Sequence, residues 1–279
     1  MGKTENIEMI TGDPKKTINK LSFPIIGSMF LILVNNIIDS IWVAGLGADP
    51  LAALGYITPL FMILVGFGNG IGAGGNSLIS RYIGAEDKAS ANNAAIHNLI
   101  LSLIFSLVVS AIFLAFMKPM LIMMGASSVI NYAMDYGFII FVGTFGLLMP
   151  PIVGGAFRAE GDIKRATIPI ALAAIINMIL DPIFIYLLGM GIKGAALATV
   201  LGPLISLLVM LYWIFVKKDT YLSYNRKDFH NDLGMYKDIL VVGIPASLEQ
   251  LVLSVLTIFV NYMLTIVSGP VSVAVYTDL

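Results

Sequence analysis

The sequence predicts an all-α polytopic membrane protein: a six-helix transporter-type lobe followed by a seventh helix that begins a parallel repeat. Three observations predict it. The chain of 279 residues is 58% hydrophobic and 12% charged, with a mean hydropathy of +0.92. Soluble domains carry about 25% charged residues, so a chain this poor in charge cannot cover a water-facing surface. Its apolar residues gather into runs long enough to cross a hydrocarbon core of about 30 Å, which takes roughly 20 residues of helix. Its Lys and Arg residues fall almost wholly on one side of those runs, the asymmetry that orients membrane helices.

In chain order, residues 1–21, "MGKTENIEMITGDPKKTINKL", are polar and read as a cytoplasmic tail with an amphipathic lead-in. They lack the short basic start and small-residue cleavage site of a secretory signal. Asn6 stands where a myristoylation pattern requires Ser or Thr. Seven spans follow, at 22–46, 53–80, 92–117, 128–153, 166–188, 191–216 and 239–267. Several exceed the length that crossing requires, which predicts tilt or kinks. The alternating pattern of a membrane β-barrel is absent. Residues 22–216 form the first lobe, 217–238 a basic cytoplasmic linker, and 239–279 the first helix of a second lobe cut short. The formal net charge of −1 implies no nucleic-acid partner, and the lack of cysteine excludes disulfides and thiolate metal sites.

Fourteen Lys and Arg residues lie in the tail and in the second-to-third, fourth-to-fifth and sixth-to-seventh connections, against only Lys118 and Lys193 on the other side. The N-terminus is therefore expected in the cytoplasm, with odd spans running outward, in a cell membrane. The first span opens "FPIIGSMFLILVNNIIDSIWV" and the seventh "IPASLEQLVLSVLTIFVNYML". Both begin with an apolar residue and a proline, Pro24 and Pro245, and both lead to related endings, "ADPLAALGY" and "SGPVSVAVY". That is the pattern of a parallel repeat.

Ionisable side chains inside spans are expensive, and function is the default reading of them. Asp39 in span one and Asp181 in span five reach a similar depth in the outer half. Each has an amide one turn earlier on the same helix face, Asn35 and Asn177, and Asn36 adds a further amide beside the first. Pro182 interrupts span five directly after Asp181 and frees a carbonyl near Met178. Thr199 of span six falls at the same level. Asp39, Asn177, Asp181 and Thr199 thus form a candidate cation or proton site, an oxygen set suited to a hard ion such as Na⁺. Two carboxylates close together in low dielectric cannot both ionise cheaply, so a shared proton is the other reading. Glu249, the one acid of span seven, is a candidate for the same network or for a site in the second half. Tyr136 could point inward beside an interfacial Asp135, and His97 reads as a satisfied polar residue.

"GFGNGIGAGGNS", Gly66 to Ser77, contains G-x-G-x-x-G at Gly70, Gly72 and Gly75. A dinucleotide fingerprint needs a βαβ unit, and this one lies in a membrane span. Gly66, Gly70 and Gly74, four residues apart, instead predict close helix contact.

"NNIIDSIWVAGLG", "FRAEGDIKRATIP", "NMILDPIFIY" and "GAALATVLG" together resemble the first lobe of multidrug and toxic compound extrusion (MATE) transporters. The resemblance covers the six spans and the start of the seventh. It implies twelve helices in two lobes around a central cavity, export of cationic or amphipathic small molecules, and antiport with Na⁺ or H⁺. No cofactor beyond that coupling ion is implied. The matching cation-site positions are Asp39, Asn177, Asp181 and Thr199; Tyr136 matches a tyrosine of the same network and Pro24 a proline where helix one bends. Gly154 stands where some members have a site asparagine, and Asn35 where some have a tyrosine. The expected partners are the bilayer, a small-molecule substrate and a second lobe.

Two other readings compete. A flippase for lipid-linked sugars calls for a more cationic cavity, and no Lys or Arg lies mid-span. An intramembrane aspartyl protease would carry Y-D and G-x-G-D on adjacent spans; here Gly161-Asp162 lies in a basic loop and Asp39 follows Ile38.

Overall fold

The computed structural model describes residues 14–277 and is helical throughout. Its helices are α1 (Pro14–Ala44), α2 (Ala48–Gly84), α3 (Lys88–Met123), α4 (Ile130–Val142), α5 (Thr144–Ala159), α6 (Ile163–Pro182), α7 (Ile192–Leu211), α8 (Leu233–Ser268) and α9 (Pro270–Thr277). Among the described residues, six helices are long and apolar enough to cross a membrane, or seven spans if a bent pair of shorter helices counts as one. At 1.5 Å per residue the 37 residues of α2 reach about 55 Å, well beyond the hydrocarbon core. The helix-bend expectation at Pro24 concerns a side chain outside the described residues.

The fourth span differs from its expectation. The apolar run 128–153 is not one straight helix. A 3₁₀ turn over Ala126–Val129 leads into α4, the chain breaks at Gly143, and α5 leaves at 47° to it. Thr144 caps the break by donating from Oγ1 to the Phe141 carbonyl at 2.7 Å. Hydropathy alone gives no direction, so two apolar half-helices read like one.

At the other break the sequence signal holds. Regular α6 ends at Pro182, and the chain continues as one wide π-helical stretch, Ile183–Leu187. A proline removes the amide that would continue the i→i−4 ladder.

The broadest helix contact among the described residues joins α2 to α8. The helix read from the sequence as the seventh span, α8, therefore lies along α2. Gly66 and Gly74 show why the two backbones come so close. A methyl group on Gly66 would lie 2.6 Å from Cβ of Gln250, and one on Gly74 would collide with the carbonyl oxygen of Ile239. In lipid such backbone approach supplies the dispersion contact that hydrophobic transfer cannot.

The connection from α7 to α8 lies strapped across one end of the lobe by side-chain to main-chain bonds. Glu160 accepts from the N–H groups of Tyr221 at 3.0 Å and Leu222 at 3.2 Å. Asn92 accepts from Ser223 N–H at 2.9 Å, and Asn93 both gives to and takes from the main chain of His230. His97, fully buried, bonds the Asn93 carbonyl through Nδ1 and accepts the Asp232 N–H at Nε2. Arg165 pairs with Asp219 at 2.6 Å, and Arg81 with Asp238 at the foot of α8. The basic loops thus share this end. At the opposite end Lys193 pairs with Asp135 at 3.2 Å, both half-exposed.

Two outcomes test this packing. Gly74→Leu should force α2 from α8 and lower the thermal midpoint of the purified protein by about 1–3 kcal/mol of stability, the usual range for overpacking. Gly84→Ala, with nothing within 4 Å of the added carbon, serves as its neutral control. The second concerns Glu160. Burial pushes its carboxyl from 4.5 up to about 7, against the opposing pull of the two main-chain donors. Between those values the folded chain keeps a proton that the unfolded chain has released, so stability falls as pH rises through that window. Glu160→Gln should flatten this slope in thermal unfolding followed at pH values spanning the window; an unchanged slope would assign it to other groups.

Candidate functional site

Asn35 and Asp39 stand one turn apart on α1, and Asn177 and Asp181 one turn apart on α6. The two helices pack together, with α7 against α6. The structure brings six oxygen-bearing side chains to one place: Asn35, Asp39, Tyr136, Asn177, Asp181 and Thr199. Asp181 is fully buried, Asn177 and Tyr136 nearly so. Asn177 donates to Asp181 Oδ1 at 3.4 Å. With its amide turned over, it donates to Asn35 Oδ1 at 2.9 Å and Asp181 Oδ2 at 3.3 Å, and its oxygen accepts the Thr199 N–H at 3.1 Å. This orientation satisfies both ends of the amide, and it is the one adopted here. The Asp39 and Asp181 carboxyls lie within hydrogen-bonding reach of each other, and the Tyr136 hydroxyl within reach of Thr199. Thr199 also anchors its own helix, donating to the Ala195 carbonyl at 3.0 Å.

One atom of this cluster stands out. Asp39 Oδ1 is buried and has no hydrogen-bond partner. An unpaired buried acceptor on an acid is expensive. A proton or a cation at that oxygen removes the expense, and the surrounding amide, hydroxyl and carboxyl oxygens are the ligands a hard cation takes.

Asp39, Asn177, Tyr136 and Thr199 open on a cavity of about 470 Å³. Its other walls are mostly apolar, from Ile32, Leu54, Ile57, Phe61, Met62 and Leu147. Neutral polar groups complete it: Asn35, Asn36, Ser40, Thr58 and Gln250. Among the described residues no Lys or Arg lines it, and Asp39 is the one carboxyl on its wall.

Glu249 does not join the network. It is exposed on α8, while its neighbour Gln250 faces the cavity. The reason is Gly66: only a residue without a side chain lets the root of Gln250 sit against α2 at this level, and the next residue back is turned about 100° away. Gln250, Thr58, Phe61 and Met62 were missing from the sequence-based site. The one available signal was the Gly66–Gly70–Gly74 stripe, which marks the face where α8 arrives.

The family model MatE matches residues 24–183. The chain belongs to the MatE family. MatE proteins are transporters rather than enzymes, which removes the protease reading. The chain is 30% identical over 251 residues to the "Multidrug export protein MepA" of Staphylococcus haemolyticus, covering 89% of this chain and 55% of that protein. It is 29% identical over 202 residues to a "FAD transporter" of Shewanella oneidensis, covering 71% and 45%. In structure it is similar to a MOP superfamily transporter from Pyrococcus furiosus, at TM-score 0.90 and 40% identity, over 99% of this chain and 62% of that one. The chain spans about half the length of the curated relatives it matches. That solved transporter and this chain share the all-helical membrane fold.

Within this MatE chain, Asn177 is the residue that ties α6 to α1 and α7. Asn177→Leu should leave Asn35 and Asp181 without their bridging amide and destabilise the protein by about 1–3 kcal/mol, read as a lower thermal midpoint. Asn36→Leu, at an exposed position on the cavity wall, should stay within about 0.5 kcal/mol of the parent.

Proposed function

We propose that the chain is the ion-coupling lobe of a secondary transporter that exports cationic or amphipathic small molecules in exchange for Na⁺ or H⁺. The observation that carries this reading is Asp39 Oδ1, a buried acidic oxygen with no partner, on the wall of a cavity that no basic side chain lines among the described residues. An apolar cavity with one acidic spot favours an amphipathic cation over an anion. A coupling ion and a cationic cargo then compete for the same charge. Arrival of one releases the other, which is the requirement of antiport.

In this reading a Na⁺ ion takes oxygens of Asp39, Asn177, Asp181 and Thr199, with Asn35 beside them. A proton instead sits on the Asp39–Asp181 pair. The lobe works with a second lobe of similar size, the chain spans the plasma membrane, and its basic end faces the cytoplasm. The Lys and Arg asymmetry supports that orientation. A related reading, a flippase for lipid-linked sugars, lacks the cationic cavity wall that an anionic diphosphate linkage would need.

The test is Na⁺ binding to the purified chain in nanodiscs across roughly pH 5 to 8, the range over which buried carboxyls titrate. Protons compete for the same oxygens, so Na⁺ affinity should fall as pH drops. Asp39→Asn and Asp181→Asn should each weaken binding at least about tenfold, and in a complete transporter each should abolish drug resistance without loss of expression. Affinity that is independent of pH, or binding that survives both substitutions, would place the coupling acid elsewhere.

A further inference from the structure

Helix α2 carries a gap in its own hydrogen bonding, toward the end away from the basic loops. Pro59 has no N–H, so the carbonyl of Gly55 finds no partner within the helix. In a membrane that carbonyl must be satisfied from outside the helix. Asn261 of α8 does so, donating from Nδ2 at 2.9 Å, with its side chain 1% exposed. One turn on, Thr265 Oγ1 bonds the hydroxyl of Tyr56. The same Thr265 occupies the space left open by Gly125, where a Cβ would meet it at 2.9 Å. Val273 and Ala274 of α9 are buried in this seam, and α9 packs on α2. The seam is not fully satisfied, because Asn261 Oδ1 is buried with no partner.

The other face of this turn of α2 belongs to the cavity, through Leu54, Ile57 and Thr58. A turn weakened by one missing hydrogen bond thus lies between the cavity and the seam. We propose that it is the latch of an outer gate. Asn261 and Thr265 hold α2 against α8 while that side is shut. Cargo entering the cavity displaces Leu54, Ile57 and Thr58, and the displacement is passed through the Pro59 turn to Gly55 and Tyr56, releasing α8. Water entering the opened seam takes over the Gly55 carbonyl and the free Asn261 oxygen, so neither state carries a prohibitive orphan. At this end of the α2–α8 contact, beyond the glycine stripe, the polar hold is one amide and one hydroxyl, few enough for a ligand to outweigh.

The chain contains no cysteine, so a single Ala274→Cys reports on the seam. The measurement is maleimide reactivity of that thiol in nanodiscs, with both membrane faces accessible and neither ion nor cargo added. Reactivity should be low in the Ala274→Cys parent and rise roughly three- to tenfold on adding Asn261→Leu, the range that one lost hydrogen bond commands. Thr265→Val and Tyr56→Phe, which barely change shape, should act in the same direction and serve if Asn261→Leu does not fold. Pro59→Ala supplies the missing amide to the Gly55 carbonyl. On that background Asn261→Leu should change reactivity by less than about twofold. Equal reactivity in the parent and all latch variants would overturn the latch, as would an Asn261→Leu effect that Pro59→Ala leaves untouched. The gate rests on the transporter reading, but no ion enters this assay, so its failure is separate from failure of the Na⁺ measurement.

Discussion

Two carboxyl groups brought together inside a low-dielectric helical lobe constrain everything placed around them. A single charge at the middle of a bilayer costs at least about 2.5–3.5 kcal/mol on insertion scales, and two like charges in contact add repulsion to that. The lobe meets the expense partly with geometry. Asn177 bridges Asp181 to Asn35 and α7, and Tyr136 and Thr199 bring hydroxyls to the same point. It leaves part unmet at Asp39. Full internal satisfaction would have made an inert core network, closed to ions. The unmet oxygen leaves one point of the network open to a further partner.

Helix α2 supplies the second half of this arrangement. It has three jobs along its length. Its glycine stripe admits α8, its Phe61 and Met62 face shapes the cavity, and its Pro59 turn needs help from α8 to satisfy its own backbone. Each job depends on a residue that is poor at making ordinary helix. Gly and Pro are tolerated here because the membrane removes the competing solvent and the neighbouring helix completes the bonds.

Much of the architecture was legible because lipid is a strict solvent. Hydrocarbon thickness sets span length, so the spans show in hydropathy alone. A carboxylate in oil is conspicuous, so Asp39 and Asp181 stood out, and equal depth linked them to Thr199 before any contact was known. What stayed hidden depends on direction rather than composition. The break at Gly143 separates two stretches that are equally apolar. The choice between Glu249 and Gln250 turns on a rotation of one residue, and it is settled by the missing side chain of Gly66 on another helix. Asn92, Asn93 and His97 look like ordinary polar residues at a helix end, because their partners are main-chain groups far along the sequence.

Those main-chain partners have an evolutionary consequence. Glu160, Asn92, Asn93 and His97 grip the strap by amides and a carbonyl that every non-proline residue offers equally. Selection on this segment therefore acts on spacing as well as on spelling. Side chains of the strap with no contact of their own can drift so long as proline stays away from the gripped positions, whereas Leu222 in the core, Tyr224 beside Phe215, Asp228 on Asn92 and Phe229 against His97 are held as well. A single inserted or deleted residue, by contrast, would shift each grip beyond it onto the wrong amide. Among homologues, the strap should be recognised by its constant length even where its exposed residues no longer match.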